Sequence, residues 1–182
     1  MAHDVAYTRG AAPPERVHHL RLRMQRELTR ERLERGDRQP PRRFDLKVGR
    51  GGLVDVEFAV QWLQMKHGID PRVRTADTEA GLAALEACGY LDASLGASLR
   101  EGYRFLRRLE QRLRVLHGTS AQLLEEGAPG LALLARRMGM RDGPRGTGAD
   151  ALVARYVAVT DDVRAAYLAT LELPSEPDDP NA

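Results

Sequence analysis

A single cysteine, Cys88, stands in 182 residues. It excludes an intramolecular disulfide and any metal cage built from several cysteines. No run of 18 apolar residues occurs, so there is no candidate membrane span. The start, MAHDVAYTRGAAPP, has neither a basic segment nor an apolar core of the kind that directs secretion, so a cytoplasmic location is the expectation. Lysine is almost missing: Lys47 and Lys66 stand among 28 basic residues. Against 26 acidic residues these give a net charge of only +2, and aromatics make up 5%. An RNA- or DNA-binding surface needs a surplus of positive charge and aromatic stacking platforms, so nucleic acid is not an expected partner. Hydrophobic residues at 42% are enough for a real core.

What is present is helical periodicity cut by glycine and proline. Residues 1–12 read as a frayed, flexible N-terminus. Pro13 and Pro14 open a first helix with an apolar stripe of Val17, Leu20, Met24 and Leu28, and the pattern predicts its end near Gly36. The segment GDRQPPRR is a linker or turn. Phe44 to Val48 alternates apolar and polar residues and fits a short extended segment. A second helix runs from Leu53 to His67 and ends at Gly68. Asp77 or Thr78 caps a third helix, which carries Leu82 and Leu85 and stops at Gly89. Leu95, Leu99, Leu106, Leu109, Leu113 and Leu116 mark a long fourth helix up to Gly118. A short fifth spans Leu131 to Met138. The last runs from a cap at Asp150 to Leu171, and residues 174–182 read as a disordered tail. The expectation is one all-α domain over 13–173, an antiparallel bundle of about six helices with a glycine-rich loop before the second.

That loop, KVGRGGLVDVEF, carries the chemistry. Gly49, Gly51 and Gly52 allow positive φ and close approach of the backbone. The free N–H groups and positive dipole end of the following helix point back at it, and Lys47 and Arg50 add two cations. Such a loop can hold a phosphate. It can equally be a hinge, with Asp55 and Glu57 in the first helical turn paired to Lys47 or Arg50. The pattern is neither a Walker loop nor a dinucleotide fingerprint. Asp55 and Glu57 lie two apart and do not share a helical face, which argues against a metal or acid–base pair made of these two. His18 and His19 are adjacent, and His67 and His117 each precede a glycine at a helix end. None of them falls in a zinc-protease or calcium-loop pattern. Arg104, Arg107, Arg108, Arg112 and Arg114 cluster on the fourth helix, but Glu101 and Glu110 interrupt them, as on a solvated or interdomain face.

The stretch FDLKVGRGGLVDVEFAVQWLQMKHG resembles the segment that follows the nucleotidyltransferase core in glutamine synthetase adenylyltransferases. The matching positions are Asp45, Lys47, Gly49, Gly51, Gly52, Asp55, Glu57, Phe58, Gln61, Leu63, Gln64, His67 and Gly68. Related uridylyltransferases carry a comparable glycine loop but usually lack the continuation held here by Glu57, Phe58 and Gln61. The helices around RLRMQRE and YRFLRRLEQRLRVL are similar in layout, so the resemblance spans about Arg16 to Leu173. It implies an enzyme that moves AMP from ATP to a tyrosine of glutamine synthetase and removes it by phosphorolysis, with Mg²⁺, under a PII-type regulator. The family's core carries a Gly-Ser turn and a D-x-D carboxylate pair, and this sequence has neither. The resemblance therefore implies a helical domain inactive by itself, partnered by a nucleotidyltransferase core and acting on glutamine synthetase. Its loop of Lys47, Gly49, Arg50, Gly51, Gly52, Asp55 and Glu57 would touch nucleotide phosphate or line the interdomain cleft. The alternative is a stand-alone helical protein-interaction module without nucleotide chemistry.

Overall fold

The structure is a computed structural model that describes residue 7 and residues 10–33, 41–117, 122–144 and 146–175. Six helices carry most of these residues: α1 Pro14–Leu28, α2 Leu53–Lys66, α3 Thr78–Ala87, α4 Ala93–His117, α5 Leu131–Arg137 and α6 Gly148–Thr170. The fold is mostly helical, as the periodicity predicts, but it is not a pure bundle. Strands β1 (Arg43–Asp45) and β2 (Leu123–Glu125) pair antiparallel, with Arg43 opposite Glu125 and Asp45 opposite Leu123. The extended segment expected at Phe44 to Val48 is corrected: the strand covers Arg43–Asp45, and Leu46 to Val48 already turn, because the Asp45 carboxylate takes the N–H groups of Lys47 and Val48. Nothing in LLE separates it from a helix end, so β2 is visible only through its partner.

Local chemistry explains most boundaries. Asp77 caps α3, its Oδ1 accepting from the Ala80 N–H at 2.7 Å. At α6 the cap is Thr147 rather than Asp150. Asp150 is the third helical residue and returns a bond to the Thr147 N–H, which closes a capping box. The first helix corrects the expectation more strongly. It ends at Leu28, well before Gly36, which lies outside the described residues. The chain leaves the helix because better partners wait elsewhere. Arg32 and Arg43 exchange backbone hydrogen bonds of 2.8 and 2.7 Å, and Glu31 takes the N–H of Asp45 at 3.2 Å.

The stripe on α1 is also not the buried one. Leu20 is 44% and Leu28 56% exposed, whereas the fully buried side chain of this helix is Arg21. By contrast, α2 buries residues on every side, as a central helix must. Its Gln64 donates to the carbonyls of Val73 at 2.8 Å and Thr75 at 2.9 Å, fastening the 3₁₀ turn Pro71–Val73. Two apolar clusters result. One joins Val56, Val60 and Leu63 to Leu82, Leu85, Leu99 and the C-terminal half of α6. The other joins Phe44, Leu46 and Leu53 to Leu106, Leu109, Leu124, Leu134 and the N-terminal half of α6. The glycine loop runs into α2 between Leu46 and Val56, at the seam of the two.

Helices α4 and α6 share the most extensive helix contact, and Gly102 makes it possible. A Cβ at Gly102 would overlap Cγ2 of Val163, a fully buried residue of stiff rotamer. Gly102→Ala should therefore lose about 1–2 kcal/mol in denaturant unfolding despite alanine's higher helix propensity. Val163→Ala in the same chain should couple favourably with it by about 1 kcal/mol or more. Strictly additive losses would refute this account of the crossing.

Candidate functional site

The loop begins where β1 ends. Asp45 is buried, and its Oδ1 accepts from the N–H groups of Lys47 at 3.0 Å and Val48 at 3.1 Å. The Gly49 N–H returns to the Asp45 carbonyl at 3.1 Å, and Gly52 to Gly49 at 3.0 Å. Leu53 and Val54 donate to the carbonyls of Leu46 and Lys47 at 3.0 and 3.1 Å, and Asp55 to that of Gly52 at 3.0 Å. Leu46 donates to Gln122 at 3.0 Å, which sews the loop's start to β2. Two carboxylates complete the set. Glu31 accepts from the backbone of Arg50, and Asp55 Oδ2 accepts from Gly51 at 2.7 Å. Every backbone N–H from Leu46 to Asp55 thus has an acceptor inside the protein. In this conformation, contacts of the loop with an outside anion fall to the side chains.

All three glycines are required by geometry. A Cβ on Gly52 would press on the carbonyls of Lys47 at 2.7 Å and Leu46 at 2.9 Å. Gly51 has φ +67°, and a Cβ there would overlap the Thr160 carbonyl of α6. A Cβ on Gly49 would overlap the Glu31 carboxyl and the Asp45 carbonyl. The loop is therefore pressed between α6 and the segment after α1.

Of the charged residues singled out in the sequence, Lys47 is exposed and makes no side-chain hydrogen bond or ion pair among the described residues. Arg50 is ion-paired with Asp161 on α6. Asp55 turns inward and Glu57 outward, so the two acids are held apart. Burial pushes the half-buried Glu57 carboxyl up, while Lys47 and Arg107 pull it down and Glu110 pushes it up. Glu110 is itself buried and bridges Arg107 at 2.6 Å and Arg114 at 2.8 Å. The arginine cluster of α4 thus borders the loop through Glu57.

The residues that organise the site were not found by motif. Asp55 is fully buried between Arg21 from α1 and Arg164 from α6, themselves 0% and 1% exposed. Arg21 Nε pairs with Asp55 Oδ1, and its Nη2 donates to the Gly49 carbonyl at 2.7 Å. Arg164 Nη1 lies 3.4 Å from both Asp55 oxygens, and its guanidinium stands 5.3 Å from the Tyr167 ring. A signal for both arginines existed. Arg21 sits four residues after Val17 and three before Met24, and Arg164 falls among Val159, Val163 and Tyr167. Each is a charge on an apolar face.

Glu31 is the third missed residue. Burial raises its carboxyl to about 7, against hydrogen bonds from the backbones of Asp45 and Arg50 that lower it; the Asp45 charge raises it and Arg21 lowers it. The Tyr156 hydroxyl, 3.4 Å from the Asp45 carbonyl, is pushed well above its ordinary value by burial and by the same two acids. Among the described residues no group of three or more His, Cys, Asp or Glu side chains could hold a metal ion. The Mg²⁺ implied by the resemblance finds no such cluster among the described residues.

A family model described as GlnD PII-uridylyltransferase matches residues 18–171. Among curated proteins, a bifunctional glutamine synthetase adenylyltransferase/adenylyl-removing enzyme of Streptomyces avermitilis is 42% identical over 101 residues, 55% of this chain and 10% of that protein. The protein of that name from Corynebacterium glutamicum is 53% identical over 72 residues, 39% of this chain and 7% of its own length. Its counterpart in Xanthobacter autotrophicus is 39% identical over 116 residues, 63% of this chain and 12% of its own. The chain thus spans about a tenth of the length of the relatives it matches.

The raised carboxyl of Glu31 fixes a pH dependence. The folded state keeps a proton that the unfolded chain releases near 4.5, so Glu31's contribution is complete below that pH. It declines as pH rises toward about 7 and is gone above. Integrated over that window the loss is about 3 kcal/mol. Glu31→Gln, which carries no titrating proton, should remove this slope from unfolding free energies measured between pH 4.5 and 8. Parallel curves for the two proteins would show that Glu31 ionises normally.

Proposed function

Because the chain belongs to the GlnD PII-uridylyltransferase family, we propose that it serves as the helical domain of a glutamine synthetase adenylyltransferase. In this reading it works beside a nucleotidyltransferase core that supplies the catalytic carboxylates. The curated relatives carry that activity in their names, and they are about ten times longer than the matched segment. Glu57, Phe58 and Gln61 favour the adenylyl over the uridylyl branch.

The observation that carries the reading is the combination of a loop closed on itself with an exposed lysine at its rim, near the Glu57 carboxyl. A loop whose backbone donors are all engaged is a rigid platform. Lys47 on that platform faces outward, and Arg50 stands beside it on the α6 side. These two side chains meet acidic groups of the core or phosphates of the nucleotide bound there, while Asp55 holds the loop from inside and Glu57 tunes its rim. ATP and Mg²⁺ are then ligands of the core. The core transfers AMP to a tyrosine of glutamine synthetase and removes it by phosphorolysis, under a PII-type regulator, in cytoplasmic nitrogen metabolism. The described helices are compatible with that location in one respect: none is long and apolar enough to cross a membrane.

Transfer of α-labelled AMP from Mg·ATP to purified glutamine synthetase tests this, run with the chain alone, a separately expressed core from an adenylyltransferase relative, and both. Labelling should require both, or rise strongly when the chain joins the core. Lys47→Ala and Arg50→Ala should each reduce docking or transfer by about tenfold, the usual effect of losing one charged contact at an interface. Labelling by the core alone, indifferent to the chain, would leave the stand-alone interaction module as the better reading.

A further inference from the structure

The buried cluster contains two guanidinium groups and one central carboxylate. Arginine does not deprotonate in proteins, and burying charge is costly unless it is paired, so the second arginine needs a reason. Arg164 alone suffices to neutralise Asp55, since it approaches both carboxylate oxygens at 3.4 Å and rests on Tyr167. Arg21 adds geometry. It is the buried residue of a helix whose Leu20 and Leu28 face outward. Its planar fork reaches two points of the loop at once. Nη2 donates to the Gly49 carbonyl at 2.7 Å, and Nε is ion-paired with Asp55 Oδ1, whose partner oxygen receives the Gly51 N–H at 2.7 Å. One side chain thus fixes the first glycine directly and the second through Asp55.

We infer that Arg21 is the positioning residue of the glycine loop, holding Gly49 and Gly51 from α1 so that Lys47 and Arg50 are presented in a fixed geometry. The presentation toward a core rests on the function proposed above; the hold on the loop does not. Lysine cannot replace arginine in this role, because a point donor on a flexible stem does not span the Gly49 carbonyl and Asp55 together.

The test uses the full chain with Arg21→Met and Arg21→Lys, read by amide hydrogen exchange and by affinity for the separately expressed core. Both variants should keep cooperative unfolding and the protection of Leu82 and Leu85 in α3. In both, the amides of Gly51 and Gly52 should exchange at least about tenfold faster. If Arg21→Met does not fold, Arg21→Lys, which keeps the charge, decides alone. Wild-type protection of the loop in Arg21→Lys would mean that only the charge matters, and would overturn the inference. Unchanged loop exchange in Arg21→Met would overturn it too. A loosened loop with weakened docking supports both the inference and the interdomain reading. A loosened loop in a chain that docks as before, or never docks, supports the inference and counts against that reading.

Discussion

The carboxylate of Asp55 is the point on which this structure turns. It lies at the start of the central helix, is closed off from water, and is gripped by one arginine from each of two other helices. A buried ion pair contributes little net stability over an apolar substitute, but removing one partner leaves a charge stranded at a cost of several kcal/mol. Such a contact therefore specifies more than it stabilises. Here it specifies how α1, α2 and α6 converge, and it does so at the seam of two apolar clusters, where hydrophobic burial alone would tolerate sliding.

The glycine loop follows from that convergence. A helix start offers free N–H groups and a positive dipole end, which is why such a loop suggests an anion site. In this chain the protein supplies its own carboxyl oxygens: Asp45 for the turn, Glu31 for Arg50, Asp55 for Gly51. These oxygens occupy the donors that a phosphate would use. The glycines then have a steric explanation, since neither the Thr160 carbonyl nor the Glu31 carboxyl leaves room for a side chain. What remains available at the surface is Lys47, one of only two lysines in the chain.

Much of the fold was legible in the sequence because its signals are local. The leucine rhythm of α4, the Asp77 cap and the glycines after α3 and α5 act within a few residues of themselves. Misreadings arose where distant partners outbid local preference. The first helix has good helical residues beyond Leu28, yet Glu31 and Arg32 leave it for Asp45 and Arg43, partners that no periodicity reveals. Leu20 and Leu28 looked like core, while Arg21, the residue that is buried, looked like surface. The loop was legible as a motif running into α2, where Asp55 turns inward and Glu57 outward. Its supports, Arg21, Glu31 and Arg164, were not, because they arrive from positions up to about 110 residues away.

The pairing of β1 with β2 has a consequence for how the chain reaches this state. Arg43 and Glu125 lie on opposite sides of α2, α3 and α4, so the strand pair closes a ring of chain around three helices. Closing a ring of that size sacrifices chain entropy before any strand hydrogen bond forms, whereas α3 and α4 can meet early through near neighbours. The helical hairpins should therefore assemble first and the ribbon last. Because the glycine loop is sewn to β2 through Leu46 and Gln122, the platform takes its final form only when the ring shuts. The segment that this ordering completes last is then also the one that carries the exposed Lys47.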